Sequence, residues 1–119
     1  MTKPDIVERS VAYALRVIRL YRELDKDVVG RTLGKQLLRS GTSIGANIHE
    51  AQGEQSKADF IAKISIAHKE ARETAYWLRL IREAKILSAN QLDDIFDETN
   101  QLIRILGSIL LTAKQSKSK

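Results

Sequence analysis

FIAKISIAHKEARETAYWLRLI, residues 60–81, is the stretch from which the fold is read. Its apolar or small residues fall at Phe60, Ile64, Ala67, Ala71, Thr74, Leu78 and Ile81, in steps of four and three. That spacing winds a single stripe along one side of an α-helix, whereas a half-buried strand alternates every second residue. A seam of this heptad type keeps its stripe against a partner helix.

The partners are in the same chain. The last segment repeats the seam as Leu92, Phe96, Thr99, Ile103, Leu106, Leu110 and Ala113. The first carries two stripes, Val7, Val11, Ala14, Ile18 and Tyr21 beside Tyr13, Val17, Leu20 and Leu24. Two adjacent stripes make an apolar face wider than one bundle core requires. Either this helix is deeply buried, or it packs in its own bundle and also against a neighbouring subunit.

Helix ends follow from capping chemistry. Ser88 followed by Gln91 has the form of a capping box, with Leu87 and Leu92 at hydrophobic-staple spacing. Ser56 with Asp59, just after Gly53, is a weaker start signal of the same kind. Asp25-Lys26-Asp27 reads as the first turn. The expected helices are about 4–24, 29–52, 56–85 and 88–114, and the tail 115–119 is expected to fray. Short connections make sequential helices antiparallel neighbours. The expected fold is all-α, an up-down-up-down four-helix bundle formed as a single domain by residues 1–119.

The second helix holds Gly30, Gly34, Gly41 and Gly45, four of the chain's six glycines. Each interior glycine costs a helix roughly 0.5–1 kcal/mol relative to alanine. Gly34, Leu38, Gly41 and Gly45 share one stripe beside Leu33, Leu37, Ile44 and Ile48. A line of small residues lets another backbone approach closely. The competing reading, a break near Gly41 forming a ligand loop, lacks aromatic and acidic ligand groups around it.

Composition bounds the rest. The 119 residues are 43% hydrophobic and 29% charged, as in a globular protein able to bury one core. There is no cysteine, so disulfides, thiolate metal sites and cysteine nucleophiles are excluded. Neither a signal-peptide core nor a run of ~20 apolar residues is present, so a cytoplasmic protein without a membrane span is expected. The two histidines, His49 and His68, lie on different helices, and no Glu-x-x-His pair of the di-iron bundle type occurs. No metal site and no cofactor are expected. Ser43, Asn47 and Glu50 share one face of the second helix, with no histidine on that face to activate Ser43. They are expected to be structural, with Asn47 and Glu50 reaching a neighbouring helix; no catalytic residue is expected.

With 20 Lys+Arg against 15 Asp+Glu, the formal charge is +5. Arg31, Lys35 and Arg39 recur every four residues, Arg9, Arg16, Arg19 and Arg22 decorate the first helix, and Arg72, Arg79 and Arg82 lie on one side of the third. The fourth helix instead carries Asp93, Asp94, Asp97 and Glu98 near its start. Such cations either form a solvated face or contact phosphates, which needs multiple charges but no base-reading geometry. Arg16, Arg19, Arg31, Lys35 and Arg39 are the candidate nucleic-acid contacts.

The stretch Arg39-Ser40-Gly41-Thr42-Ser43-Ile44-Gly45-Ala46-Asn47-Ile48-His49-Glu50-Ala51-Gln52-Gly53 resembles the signature of a bacterial four-helix-bundle family. That family includes proteins encoded in intervening sequences of large-subunit ribosomal RNA genes and accessory proteins of diversity-generating retroelements. The resemblance rests on Arg39-Ser40, Ser43-Ile44, Asn47-Ile48, Glu50 and Gly53, followed by Lys57-Ala58-Asp59-Phe60, and in helix pattern it covers almost the whole chain. His49 and Ala51 depart from it, where the family more often has alanine and glycine. The resemblance implies a homo-oligomer, in characterised relatives a homopentamer, whose basic surfaces engage RNA or DNA and, in the retroelement branch, a reverse transcriptase. Five copies at +5 each would carry +25, a strong attractor for polyanions. The expected function is therefore a non-enzymatic, basic, homo-oligomeric accessory protein binding nucleic acid through phosphates. The alternatives are a protein-interaction scaffold without a nucleic-acid role and an enzyme whose site forms between subunits.

Overall fold

The computed structural model describes residues 3–116, of which 3–5 are described by backbone alone. Residues 117–119 of the tail expected to fray lie outside the described residues. Four helices and no strand occur among the described residues: α1 (Lys3–Leu24), α2 (Val28–Gln52), α3 (Lys57–Glu83) and α4 (Ala89–Gln115). They run up, down, up and down in an all-α bundle of 53 × 20 × 19 Å. The expected boundaries hold to within one or two residues.

The ends are fixed by side chains that satisfy otherwise orphaned N–H groups. Ser88 and Gln91 form the full capping box: Gln91 N–H donates to Ser88 Oγ at 3.3 Å and Ser88 N–H to Gln91 Oε1 at 3.0 Å. Ser56 Oγ accepts from Asp59 N–H at 3.0 Å. Asp27, read only as a turn residue, is the cap of α2, its carboxylate accepting from Gly30 N–H at 2.8 Å. At its far end α3 stops two residues sooner than expected. Lys85 turns to φ 61°, and Ile86 N–H reaches Ile81 O at 3.1 Å while Lys85 N–H reaches Arg82 O at 3.0 Å. This is the Schellman pattern, with lysine where glycine is usual.

The α3 seam is the core: Ile64, Ala67, Ala71, Thr74, Leu78 and Ile81 are all buried. In α4 the buried line is Leu92, Ile95, Thr99, Leu102 and Leu106, so the expected seam residues Phe96 and Ile103 sit on its flank instead. In α1 the stripe Tyr13, Val17, Leu20 and Leu24 is buried, while Val7, Ala14, Ile18 and Tyr21 are half-buried and Val11 is 40% exposed. Deep burial therefore does not account for the width of the α1 apolar face.

α2 runs unbroken through Gly41 and zips onto α1 along its glycines. A Cβ at Gly41 would sit 2.8 and 2.9 Å from the Val17 methyls, and one at Gly45 would sit 3.1 Å from Ser10 Oγ. The small stripe is thus a tight helix–helix contact, and Val17 fills the space a side chain at 41 would need. Buried hydroxyls pair across helices: Thr74 Oγ1 donates to Ser40 Oγ at 2.8 Å, and the Tyr13 and Thr99 hydroxyls lie 2.5 Å apart. Among the described residues no buried side-chain nitrogen or oxygen lacks a partner.

Sequential helices pack closely, but α1 and α4 scarcely touch. Their seam is bridged by the Tyr13–Thr99 contact and by Arg9, whose guanidinium donates to both Glu98 carboxylate oxygens at 2.9 and 3.0 Å and to Gln101 at 2.9 Å.

Candidate nucleic-acid interface

The five candidate cations do not form one equivalent row. Arg39 faces α3, where its guanidinium donates to Glu70 at 3.2 Å and also to Glu73, whose carboxylate in turn accepts from Trp77 Nε1–H at 3.0 Å. Glu70 is only 8% exposed, so this charge is held by its partners at the α2–α3 contact. Arg31 pairs with Asp25 at 2.7 Å in the α1–α2 turn, an exposed pair of small worth. Arg16, Arg19 and Lys35 differ. No carboxylate of the described residues lies in ion-pair range of any of them, nor of Arg22. Arg19, Arg22 and Lys35 are exposed. Arg16 and Arg19 rim a shallow pocket of about 310 Å³ between α1 and α4, lined also by Leu20, Glu23, Gln91 and Ile95.

The antiparallel turn sets these groups at the same end of the bundle. Arg16, Arg19 and Arg22 lie within the last three turns of α1, and Lys35 lies about two turns into α2. The cations of α3 differ in what they meet. Arg79 pairs with Glu83 at 2.7 Å, Arg82 stacks over the Phe96 ring at 4.2 Å from its centre, and Arg72 stands without an ion-pair partner among the described residues.

The motif residues of α2 serve local structure. Asn47 Nδ2 donates back to Ser43 O at 2.9 Å and to Ser43 Oγ at 3.1 Å, within its own helix rather than across to a neighbour as expected. Glu50 does cross, accepting from Lys63 Nζ of α3 at 2.6 Å. Gly53 ends α2, its N–H donating to Glu50 O at 3.1 Å. His49 Nδ1 lies 2.9 Å from Gly45 O, a backbone bond that carries the ring away from Ser43. Thus the group on the Ser43 hydroxyl is an amide, which cannot act as a general base. His68, packed against α4, has its pKa lowered by partial burial and by nearby Arg72, against the opposing pull of the Ile103 backbone. Among the described residues no cluster of three or more His, Cys, Asp or Glu converges, and no helix is long and apolar enough to cross a membrane.

A larger cavity, about 560 Å³, opens at the other end of the α1–α4 seam between Ile6, Phe60, Ile64, Ile105 and Ile109, with Arg9, Gln52, Ser108 and Thr112 at its wall. Its walls are mainly apolar, and its one charged group, Arg9, is engaged by Glu98 and Gln101.

The chain and its arrangement of helices are matched by known proteins. The model of the 23S rRNA-intervening sequence protein family matches residues 2–108. The chain belongs to that family. A solved structure supports the assignment. It is a protein of unknown function of the S23 ribosomal protein family from Bacteroides thetaiotaomicron, 42% identical, with a TM-score of 0.82 over 88% of this chain and 97% of that one. Among curated proteins, none matches. The motif from Arg39 to Gly53 lies on α2 and its C-cap, the helix that contacts both α1 and α3. Only Arg39 and Glu50 of its charged positions reach across, and both meet α3.

Proposed function

We propose that this protein is a non-enzymatic, homo-oligomeric bundle that binds nucleic acid through its phosphates, as an accessory to an enzyme that processes that nucleic acid. The observation that carries this reading is the set of cations towards one end of α1 and α2 without an ion-pair partner among the described residues: Arg16, Arg19, Arg22 and Lys35. Cations without internal partners are free to replace counterions along a phosphate backbone. Arg31 joins them at the small cost of opening an exposed pair, whereas Arg39 remains with Glu70 and Glu73. The family name, which ties its members to intervening sequences of 23S ribosomal RNA, agrees with a polyanionic partner. Self-association is supported by the half-open apolar face of α1, where Val11 is 40% and Leu15 50% exposed.

The test is a filter-binding titration at several salt concentrations. Affinity is expected to fall linearly on a log–log plot, and Arg16→Ala with Arg19→Ala is expected to flatten the slope by about 2 for duplex nucleic acid. No binding at low salt would remove the nucleic-acid role and leave a protein scaffold.

A further inference from the structure

A second stripe runs along α3 on the side away from the core, through Lys69, Arg72, Tyr76, Arg79 and Glu83, again in steps of three and four. All five residues are exposed, and Tyr76 is 54% so. Lys69 and Arg72 have no carboxylate of the described residues in ion-pair range, and Arg79 has only its exposed pair with Glu83. Arg104 adds a further charge on the neighbouring helix α4. It is exposed, likewise unpaired among the described residues, and lies between Ile103 and Gly107, the two α4 residues beside His68. The Tyr76 ring is not loose. It meets Trp77 edge to face, ring centres 5.0 Å apart at 68°, and Trp77 is itself tethered through Glu73 to Arg39. An aromatic ring supported on one side, open on the other and flanked by Arg72 and by the exposed Arg79–Glu83 pair is a platform for a planar group attached to an anionic chain.

We infer that the outer face of α3 binds single-stranded nucleic acid, with a base stacked on Tyr76 and phosphates held by Lys69, Arg72 and Arg104. The inference rests on the nucleic-acid reading above and adds the strand state and the stacking residue. Unpaired bases offer their faces, whereas a duplex keeps them stacked inside. The positive charge around Tyr76 favours a polyanion over an apolar protein surface as occupant. Lys69 and Arg79 are ten residues apart, about 15 Å along the helix, enough for more than one phosphate.

The experiment compares the wild type, Tyr76→Ala and Tyr76→Phe on a 20-nucleotide oligouridine and on a 20-base-pair RNA duplex, with particle mass checked by light scattering. Trp77, the chain's only tryptophan, gives a fluorescence signal beside the stacking ring. Tyr76→Ala is expected to weaken oligouridine binding about fivefold or more, to leave duplex binding unchanged and to keep the particle mass, while Tyr76→Phe binds as the wild type. Lys69→Ala with Arg72→Ala is expected to reduce the salt slope on oligouridine by about 1.4. Equal single-strand affinity for the wild type and Tyr76→Ala, with salt-dependent binding intact, would overturn this inference alone. A change of particle mass in Tyr76→Ala would also overturn it, marking the face as a protein contact. Wild-type protein that bound neither probe would remove the nucleic-acid reading itself.

Discussion

Tyr13 shows how one residue ties packing to chemistry. Its ring is 1% exposed in the core, and its hydroxyl reaches Thr99 across the thinly packed α1–α4 seam. Burial raises the phenol's pKa well above its usual 10, more than the Thr99 hydrogen bond lowers it. Near and above pH 10 the unfolded chain therefore releases this proton while the folded chain keeps it. The unfolded state binds fewer protons, so the stability from this group falls as pH rises. Tyr13→Phe is expected to cost about 1 kcal/mol at pH 8, where only the hydrogen bond is lost, since Thr99 keeps its own donation to Ile95 O. By about pH 11 the gap between the two proteins should have closed. Urea melts at the two pH values check this, and a gap unchanged with pH would refute it. His68 works in the opposite direction: its lowered pKa favours the neutral ring in the fold, so its contribution is present above pH 6.5 and lost on acidification.

At the scale of the helix, local signals were readable and distant partners were not. Ser88 with Gln91 and Ser56 with Asp59 could be read as caps because both partners lie within four residues. The glycines of α2 could be read as a contact stripe because their periodicity alone carries the message, although only the structure shows Val17 and Ser10 as the occupants. Arg39 looked like its neighbours Arg31 and Lys35, since Glu70 and Glu73 lie more than thirty residues away in sequence. The α4 seam was misplaced for another reason: Ile95 and Leu102 adjoin Phe96 and Ile103, so two apolar lines one residue apart compete, and the packing of α3 selects between them. The end of α3 comes two residues before the expected one because its left-handed residue is a lysine. That position supplies the prediction for this scale. Lys85→Gly removes the Cβ strain at φ 61° and is expected to stabilise the protein by about 1 kcal/mol. This corresponds to a Tm rise of about 4 °C by calorimetry. An unchanged or lower Tm would mean that the left-handed turn is not retained in solution.

For the whole molecule, the determining feature is the uneven covering of α1. Its inner stripe is sealed by α2 and the core, while Val11 and Leu15 remain open on the outside. The proposed self-association therefore has a definite locus. Wild-type protein is expected to sediment as a multiple of 13.4 kDa, and Leu15→Glu, which puts a charge on that outer face without entering the core, is expected to give a 13.4 kDa particle that stays helical. A wild-type particle of 13.4 kDa at micromolar concentration would remove the assembly. A Leu15→Glu variant that assembled normally would place the contact elsewhere.

The sparse seam between the first and last helices also sets how the molecule bears load. The start of α1 and the end of α4 lie at the same end of the bundle, so tension applied through them falls on the one edge where neighbouring helices barely meet. The bundle would open there first, and α1 and α4 would then peel from α2 and α3 contact by contact rather than shear along their lengths all at once. A protein built in this way yields gradually to a pull, and the tight α2–α3 hairpin is the last part to give.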